Sequence, residues 1–461
     1  MNMKPTSANA ARAWSRGEPF TLFSERDGSQ VVPKIDRLPC GDLLVTCKRD
    51  GDYPLTRTRT LRSSDGGKTW REEELHHDFL PHWRPVIQED GLVRAYGEAV
   101  EVKGTEGREY LHFYCDSTDG GRTFSGIKTG RFTLTEHEQP GPTIRKKAFW
   151  GVHLDKVVYR RALLEAAGWR MPRPAPGVGN PECFEARLRG SFEGGGLRPW
   201  CKALRLTDGR WLSFYSACLA AEKTDARNRE HSLLALVSRD RGASWQSHGV
   251  AAPYRAGAFP FEGYAHADCL PSWEHQYGEP SAVELADGRI YAVMRSGGGG
   301  VPICHVWSAD GGRTWTPPRP IDRRVCGVNP QLRKLADGTL ALCHGRPGMF
   351  VMFDPSGTGE KWDVENRCDL TDGERLTIET MARPFVIRPD CHALMDCVNA
   401  PREVLDWAKP EILNAHYYSW ENVDMCEAGP GRILVVYDLQ NWIEKPGAAH
   451  RNAIRGVWVR Q

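Results

Sequence analysis

Ser308–Trp315 reads SADGGRTW, and three other stretches repeat it: SSDGGKTW at Ser63–Trp70, STDGGRTF at Ser117–Phe124 and SRDRGASW at Ser238–Trp245. The shared form is Ser-x-Asp-x-Gly-x-Thr/Ser-aromatic. Repetition of this kind decides architecture before any other signal. Each copy has the chemistry of a tight turn between strands. Asp65, Asp119, Asp240 and Asp310 can accept hydrogen bonds from backbone amides a few residues ahead. Gly67, Gly121, Gly242 and Gly312 permit a positive φ that a Cβ would oppose. Trp70, Phe124, Trp245 and Trp315 are predicted to begin a strand and to bury a large ring between neighbouring units.

A second repeat interleaves with the first. Strand-like runs broken by a glycine turn recur as PCGDLLVTC, QEDGLVRAY, LTDGRWLSFY, LADGRIYAVMR, LADGTLALCHGR and GPGRILVVYD, with turn glycines Gly41, Gly91, Gly209, Gly288, Gly338 and Gly431. Each joins an inner strand to the next strand. A degenerate copy of the first repeat, DPSGTGEKW, follows the fifth turn at Asp354–Trp362. Six such turns predict an all-β protein, a six-bladed β-propeller. Gly41 to Gly91 and Gly288 to Gly338 each span 50 residues, whereas Gly91 to Gly209 is far longer. The long stretch, about 130–195, contains DKVVYRRALLEAAGW at Asp155–Trp169, which reads as a helix capped by Asp155. It is an insertion over one face of the ring or, alternatively, part of a seventh blade. A second excursion covers about 363–414. The expectation is one domain over 1–461.

Composition sets the outer bounds. With 461 residues, 26% charged and 40% hydrophobic, the chain is an ordinary globular protein long enough for a propeller. A net charge of +2 gives no bulk field for nucleic acid or an anionic membrane, so neither is expected as a partner. No apolar run reaches membrane-spanning length. MNMKPTSANAARAW at the N-terminus lacks the apolar core of a secretory signal, and a cytoplasmic location is expected. The 14 cysteines form no C-x-x-C pair and no zinc-spaced cluster, so no metal or other cofactor is expected. Cys47, Cys115, Cys218, Cys304 and Cys343 lie in apolar strand-like runs and read as buried thiols.

The repeat resembles the Asp-box, or bacterial neuraminidase repeat, of the sialidase superfamily of β-propellers. In that family the boxes are peripheral hairpins, so the resemblance speaks to fold before chemistry. The chemistry is expected on the inner strands, which line the axis. These are the segments before each glycine turn, where His82, Arg84, Lys202, Glu279, Asn329 and Gln331 fall. Buried polar groups there must be paired or used.

The strongest local match is GEPSAVELADGRIYAVMR, Gly278–Arg295. By resemblance Glu279 is the glutamate that activates the nucleophile, and Arg295 is one of three arginines that hold the substrate carboxylate. A hairpin brings both side chains to one mouth, and a guanidinium suits a carboxylate bidentately. Arg346 in CHGRPGMFVMFD resembles the third arginine. Asp52, with Asp50 beside it in the loop ahead of the first repeat, resembles the acid/base aspartate that protonates the leaving group. The family's nucleophile is a late tyrosine; Tyr418, or its neighbour Tyr417, resembles it, although counting back from Gly431 places the family's position near Asn422. The first-blade arginine is missing: aligned on Pro33 and Gly41, its place is held by Val31. Arg84, Arg198 or Lys202 are candidates to compensate.

The resemblance implies an exo-glycoside hydrolase that releases a terminal acidic sugar from an oligosaccharide or glycoconjugate. Two alternatives stand beside it. One is a propeller lyase for uronic-acid glycans, using His82, His153, His266, His344 or His416 with a tyrosine. The other is a non-catalytic carbohydrate-binding propeller.

Overall fold

The computed structural model describes residues 14–25, 30–49, 58–73, 86–87, 90–101, 109–126, 128–134, 203–217, 232–253, 277–296, 302–345, 349–370, 422–442 and 451–461. Among these there are 25 strands and no helix. The first two strands, β1 (Ser15–Arg16) and β2 (Phe20–Glu25), belong to the last sheet of the chain. The next four form one antiparallel unit: β3 (Gln30–Arg37), β4 (Leu43–Arg49), β5 (Thr58–Ser63) and β6 (Arg71–Glu73). A second comprises β7 (Val86–Ile87), β8 (Val93–Glu101), β9 (Glu109–Ser117) and β10 (Lys128–Thr133). The third is β11 (Leu204–Arg205), β12 (Trp211–Ala217), β13 (Ser232–Ser238) and β14 (Trp245–Ala252).

In the fourth, β15 (Gly278–Glu284) and β16 (Ile290–Arg295) are followed by β17 (Cys304–Ser308) and β18 (Arg319–Pro320). The fifth is β19 (Val328–Lys334), β20 (Leu340–Gly345), β21 (Met349–Asp354) and β22 (Cys368–Asp369). The sixth takes β23 (Val423–Gly429), β24 (Arg432–Trp442) and β25 (Arg451–Arg460), and β1 and β2 both pair with β25. That sheet therefore draws strands from both ends of the chain. Phe132↔Trp245 and Thr133↔Gln246 join β10 to β14 in parallel, so the second and third units share one eight-stranded sheet.

The first strand of each unit is the one predicted to line the axis. Neighbouring inner strands contact one another: β11 and β15, β15 and β19, β19 and β23, β23 and β3. The hydrophobic core lies between units. Val283, Leu285 and Tyr291 of the fourth unit pack with Leu332, Leu340 and Met352 of the fifth. Cys343, Val351 and Phe353 of the fifth meet Val423, Val435 and Tyr437 of the sixth. Ile35, Val45 and Leu61 of the first meet Leu434, Val436 and Ile454 of the sixth. Apolar layers between radially arranged sheets are the packing of an all-β propeller, and each large apolar side chain buried in them contributes roughly 1.5–3 kcal/mol.

The repeated turns share a serine-to-glycine bond and a carboxylate that accepts the amide before the ring. Ser63 Oγ accepts the Gly67 N–H (2.8 Å) and donates to Asp65 Oδ1 (2.8 Å). Asp65 Oδ1 accepts the Lys68 and Thr69 N–H groups (2.9 and 3.0 Å). Gly121, Gly242 and Gly312 donate to Ser117, Ser238 and Ser308 in the same way (2.8, 2.7 and 2.8 Å). In the degenerate copy Asp354 stands where the serine would be, and its Oδ2 accepts the Gly359 N–H directly (2.7 Å).

The last glycine of the motif does two jobs. Gly242 has φ +80°, and a Cβ there would lie 1.9 Å from the Tyr96 hydroxyl of the second unit. The closing aromatics do pack between units: Trp315 lies edge-on to Phe214 with centroids 5.6 Å apart, and Trp362 Nε1 donates to the Tyr291 hydroxyl (3.0 Å). Only Trp245 begins a strand, however. Trp70 immediately precedes β6, and Phe124 and Trp315 lie outside any strand.

β10 carries the second unit through Thr133, and β22 carries the fifth through Asp369. The remainder of both expected insertions, with the helix expected at 155–169, lies outside the described residues. Cys47, Cys115, Cys304 and Cys343 are buried free thiols; burial pushes Cys47 and Cys304 up to about 12. Cys218 is outside the described residues.

Candidate functional site

Three inner strands kink at the same level. The β3–β4 register shifts between Val31 and Lys34, the β15–β16 register between Gly278 and Ser281, and the β19–β20 register between Val328 and Gln331. Inside each bulge one residue has a left-handed backbone: Val32 (φ 53°), Glu279 (φ 46°) and Asn329 (φ 49°). Each is followed by a proline, Pro33, Pro280 or Pro330. Proline removes a ladder donor and restricts the residue before it, so the strand bulges and re-aims that side chain. Val32, Glu279, Asn329 and Asn422 each stand nine residues before a turn glycine. They therefore share one level at the end of the ring opposite the glycine turns.

At that level the polar side chains of four strands connect. Arg295, at the end of β16, donates from Nη1 to Glu279 Oε1 (3.3 Å). Its backbone pairs with Gly278, so the hairpin expected to bring the two side chains together does so. The carboxylate is 23% exposed and the guanidinium 14%, so both are partly enclosed. Glu279 Oε2 accepts the backbone N–H of Asn329 (2.7 Å). The Asn329 side chain continues the chain of contacts: Nδ2 donates to Asn422 Oδ1 (3.1 Å), and Oδ1 accepts from Gln331 Nε2 (2.7 Å) and Lys34 Nζ (3.3 Å).

A buried ion pair lies deeper along the same strands. Arg333 Nη2 donates to Asp424 Oδ1 (2.9 Å) and Arg333 Nε to the Met425 carbonyl (3.1 Å). Asp424 Oδ2 accepts the Ile35 N–H of β3 (2.9 Å). This pair ties β19, β23 and β3 together beneath the polar level.

Of the residues singled out from sequence, Glu279 and Arg295 are brought into contact. Asp50, Asp52, Arg84, Arg198, Lys202, Arg346, Tyr417 and Tyr418 lie outside the described residues, as do His82, His153, His266 and His416. Val31 sits at the start of the β3 bulge. His344 is fully enclosed against Phe350, and burial holds its pKa down at about 3, so it is a neutral packing residue. Lys34 and Asn422 complete the polar level. Lys34 was not legible as a site residue, and its only signal is its place two residues after the pre-proline kink. Among the described residues no group of three or more His, Cys, Asp or Glu side chains could hold a metal ion, and no helix is long and apolar enough to cross a membrane.

The arrangement is that of an all-β propeller with a carboxylate, two cations and three amides gathered at the start of its inner strands. Residues 200–382 match the BNR repeat-like domain family. No curated protein sequence matches the chain. Among solved structures, a protein of unknown function from Dyadobacter fermentans shares 15% identity over 97% of this chain and 99% of its own, with a TM-score of 0.57. A Hadza microbial sialidase shares 14% over 92% of this chain and 65% of its own (TM-score 0.48). An α-L-arabinanase of Penicillium chrysogenum, solved with arabinobiose, shares 13% over 96% and 98% (TM-score 0.48). The chain is an all-β propeller, and residues 200–382 are similar to the BNR repeat-like domain family.

Proposed function

We propose that the protein is a sialidase-like exo-glycoside hydrolase that releases a terminal acidic sugar from an oligosaccharide or glycoconjugate. The observation that carries this reading is the Glu279–Arg295 pair, partly exposed at the mouth of the inner strands (3.3 Å; 23% and 14% exposed). An enclosed carboxylate beside a guanidinium pairs a proton acceptor with an anion-binding group. In this reading Tyr418 attacks the anomeric carbon, its phenolic proton passes to Glu279, and Asp52 protonates the leaving oxygen. Asp52 then removes a proton from the water that cleaves the glycosyl-tyrosine bond. Arg295, Arg346, Arg84 and Lys202 hold the anionic group of the sugar. Enclosure of His344 removes one of the bases on which a lyase reading would rest.

The test is release of aryl aglycone from a panel of sialic, related nonulosonic, uronic and neutral glycosides. The expected result is turnover of an acidic glycoside by the wild type. Loss of about 10²-fold or more in kcat is expected for Glu279→Gln and for Tyr418→Phe. An unsaturated, ultraviolet-absorbing product would convert the assignment to a lyase. Ligand binding without turnover, unchanged by Glu279→Gln, would convert it to a binding platform.

A further inference from the structure

We infer that Asn329 is the positioning residue of the Glu279 carboxylate, holding it through a backbone N–H that the asparagine side chain locks in place; the inference rests on the hydrolase reading above. Glu279 is fixed at both oxygens, Oε1 by Arg295 (3.3 Å) and Oε2 by the Asn329 N–H (2.7 Å). The second bond is the shorter, and it is made by backbone with a left-handed φ of 49° immediately before Pro330. Of the residues with a Cβ, asparagine is among the few that visit this region readily. The direction of the N–H is thus set by a conformation that most side chains would oppose.

Three bonds from neighbouring groups maintain that conformation. Asn329 Oδ1 receives Gln331 Nε2 and Lys34 Nζ, and Asn329 Nδ2 donates to Asn422 Oδ1. With two donors on one atom and an acceptor opposite the other, the amide has a single satisfied orientation. β3, β19 and β23 therefore report to one backbone amide, and that amide points at the carboxylate on β15. Two of the three bonds are long-range, reaching across 93 residues to Asn422 and 295 residues to Lys34.

The experiment uses the full-length chain labelled with [15N]asparagine. The Asn329 amide signal is identified by its absence from Asn329→Gly. Glycine keeps the backbone N–H and accepts the left-handed φ, so the bulge is retained while the three side-chain anchors are removed. The expected result is a downfield Asn329 amide proton, as for a charge-assisted hydrogen bond, that moves upfield in Glu279→Gln. Asn329→Gly is expected to lower kcat about tenfold or more with little change in KM. An Asn329 signal indifferent to Glu279→Gln overturns the inference, as does Asn329→Gly with wild-type kcat. If the wild type turns over no glycoside, the hydrolase reading fails, and the amide shift alone decides whether Asn329 holds Glu279.

Discussion

Val32 and Asn329 hold equivalent places in their strands, and the comparison gives strain a magnitude. Both precede proline, both sit in a bulge, and both have φ near 50°. Asn329 uses the conformation to aim an N–H at Glu279. Val32 is β-branched, the worst side chain for that region, and a non-glycine residue held there costs on the order of 1–3 kcal/mol. Val32→Asn is therefore expected to stabilise the protein by about 1 kcal/mol, read as a higher urea midpoint at unchanged m-value. A lower midpoint would mean that Val32 packing outweighs the strain. Gly242→Ala tests the opposite case. Its added Cβ meets the Tyr96 hydroxyl at 1.9 Å and must also adopt φ +80°, so the variant is expected to lose about 2 kcal/mol or more in the same measurement.

Among the elements, the inner strands carry the most demanding interaction. Asp424 has a fully buried side chain and Arg333 one only 19% exposed. Asp424 also binds the Ile35 amide, so one carboxylate serves β19, β23 and β3. Removing one partner of a buried pair leaves the other charge uncompensated, which costs about 3–5 kcal/mol. Asp424→Asn should lower unfolding stability by about that amount, and Arg333→Met placed on it should recover part of the loss; a decrease below about 1 kcal/mol would show that the pair is not holding the strands.

The reach of each interaction decides what a reader of the sequence can see. Turns such as Ser63–Trp70 are closed by bonds spanning four residues or fewer, so the residue pattern contains them whole. Glu279 and Arg295 are joined by one hairpin, and sixteen residues of sequence suffice to pair them. The Asn329–Asn422 bond spans 93 residues. It exists because the fifth inner strand lies beside the sixth, and no local pattern carries that. Counting nine residues back from Gly41, Gly288, Gly338 and Gly431 recovers a shared level, but not which side chains at that level bond to one another.

At the scale of the whole ring, the burial of histidine sets a pH limit on stability. His112 lies between the second and third units, with Nε2 bonded to the Ala243 carbonyl (2.6 Å). His305 Nδ1 and the Tyr291 hydroxyl are hydrogen-bonded (3.0 Å), and His344 lies against Phe350. Burial is the main cause that depresses all three, to about 4 for His112 and about 3 for His305 and His344, with Arg94, Arg319 and Arg367 adding repulsion. Above the unfolded value of about 6.5 both states are neutral, and these groups contribute no pH dependence. Below it the unfolded chain takes up protons that the folded chain refuses, so stability falls as pH is lowered toward the folded values. Each histidine then costs about 2 kcal/mol by pH 5. The turn carboxylates act in a separate window. Hydrogen bonds hold Asp310 at about 2 against the desolvation that opposes them, and its contribution is lost only below the ordinary carboxylate range near 4. Urea unfolding between pH 7.5 and pH 5 should therefore show a midpoint that is flat above about 7 and declines below about 6.5. His112→Gln keeps a donor for the Ala243 carbonyl but cannot be protonated, and it should remove about a third of that decline if the three sites contribute equally. A midpoint independent of pH down to 5 would mean that these rings are protonated in the folded ring, and that its inter-unit layers admit water.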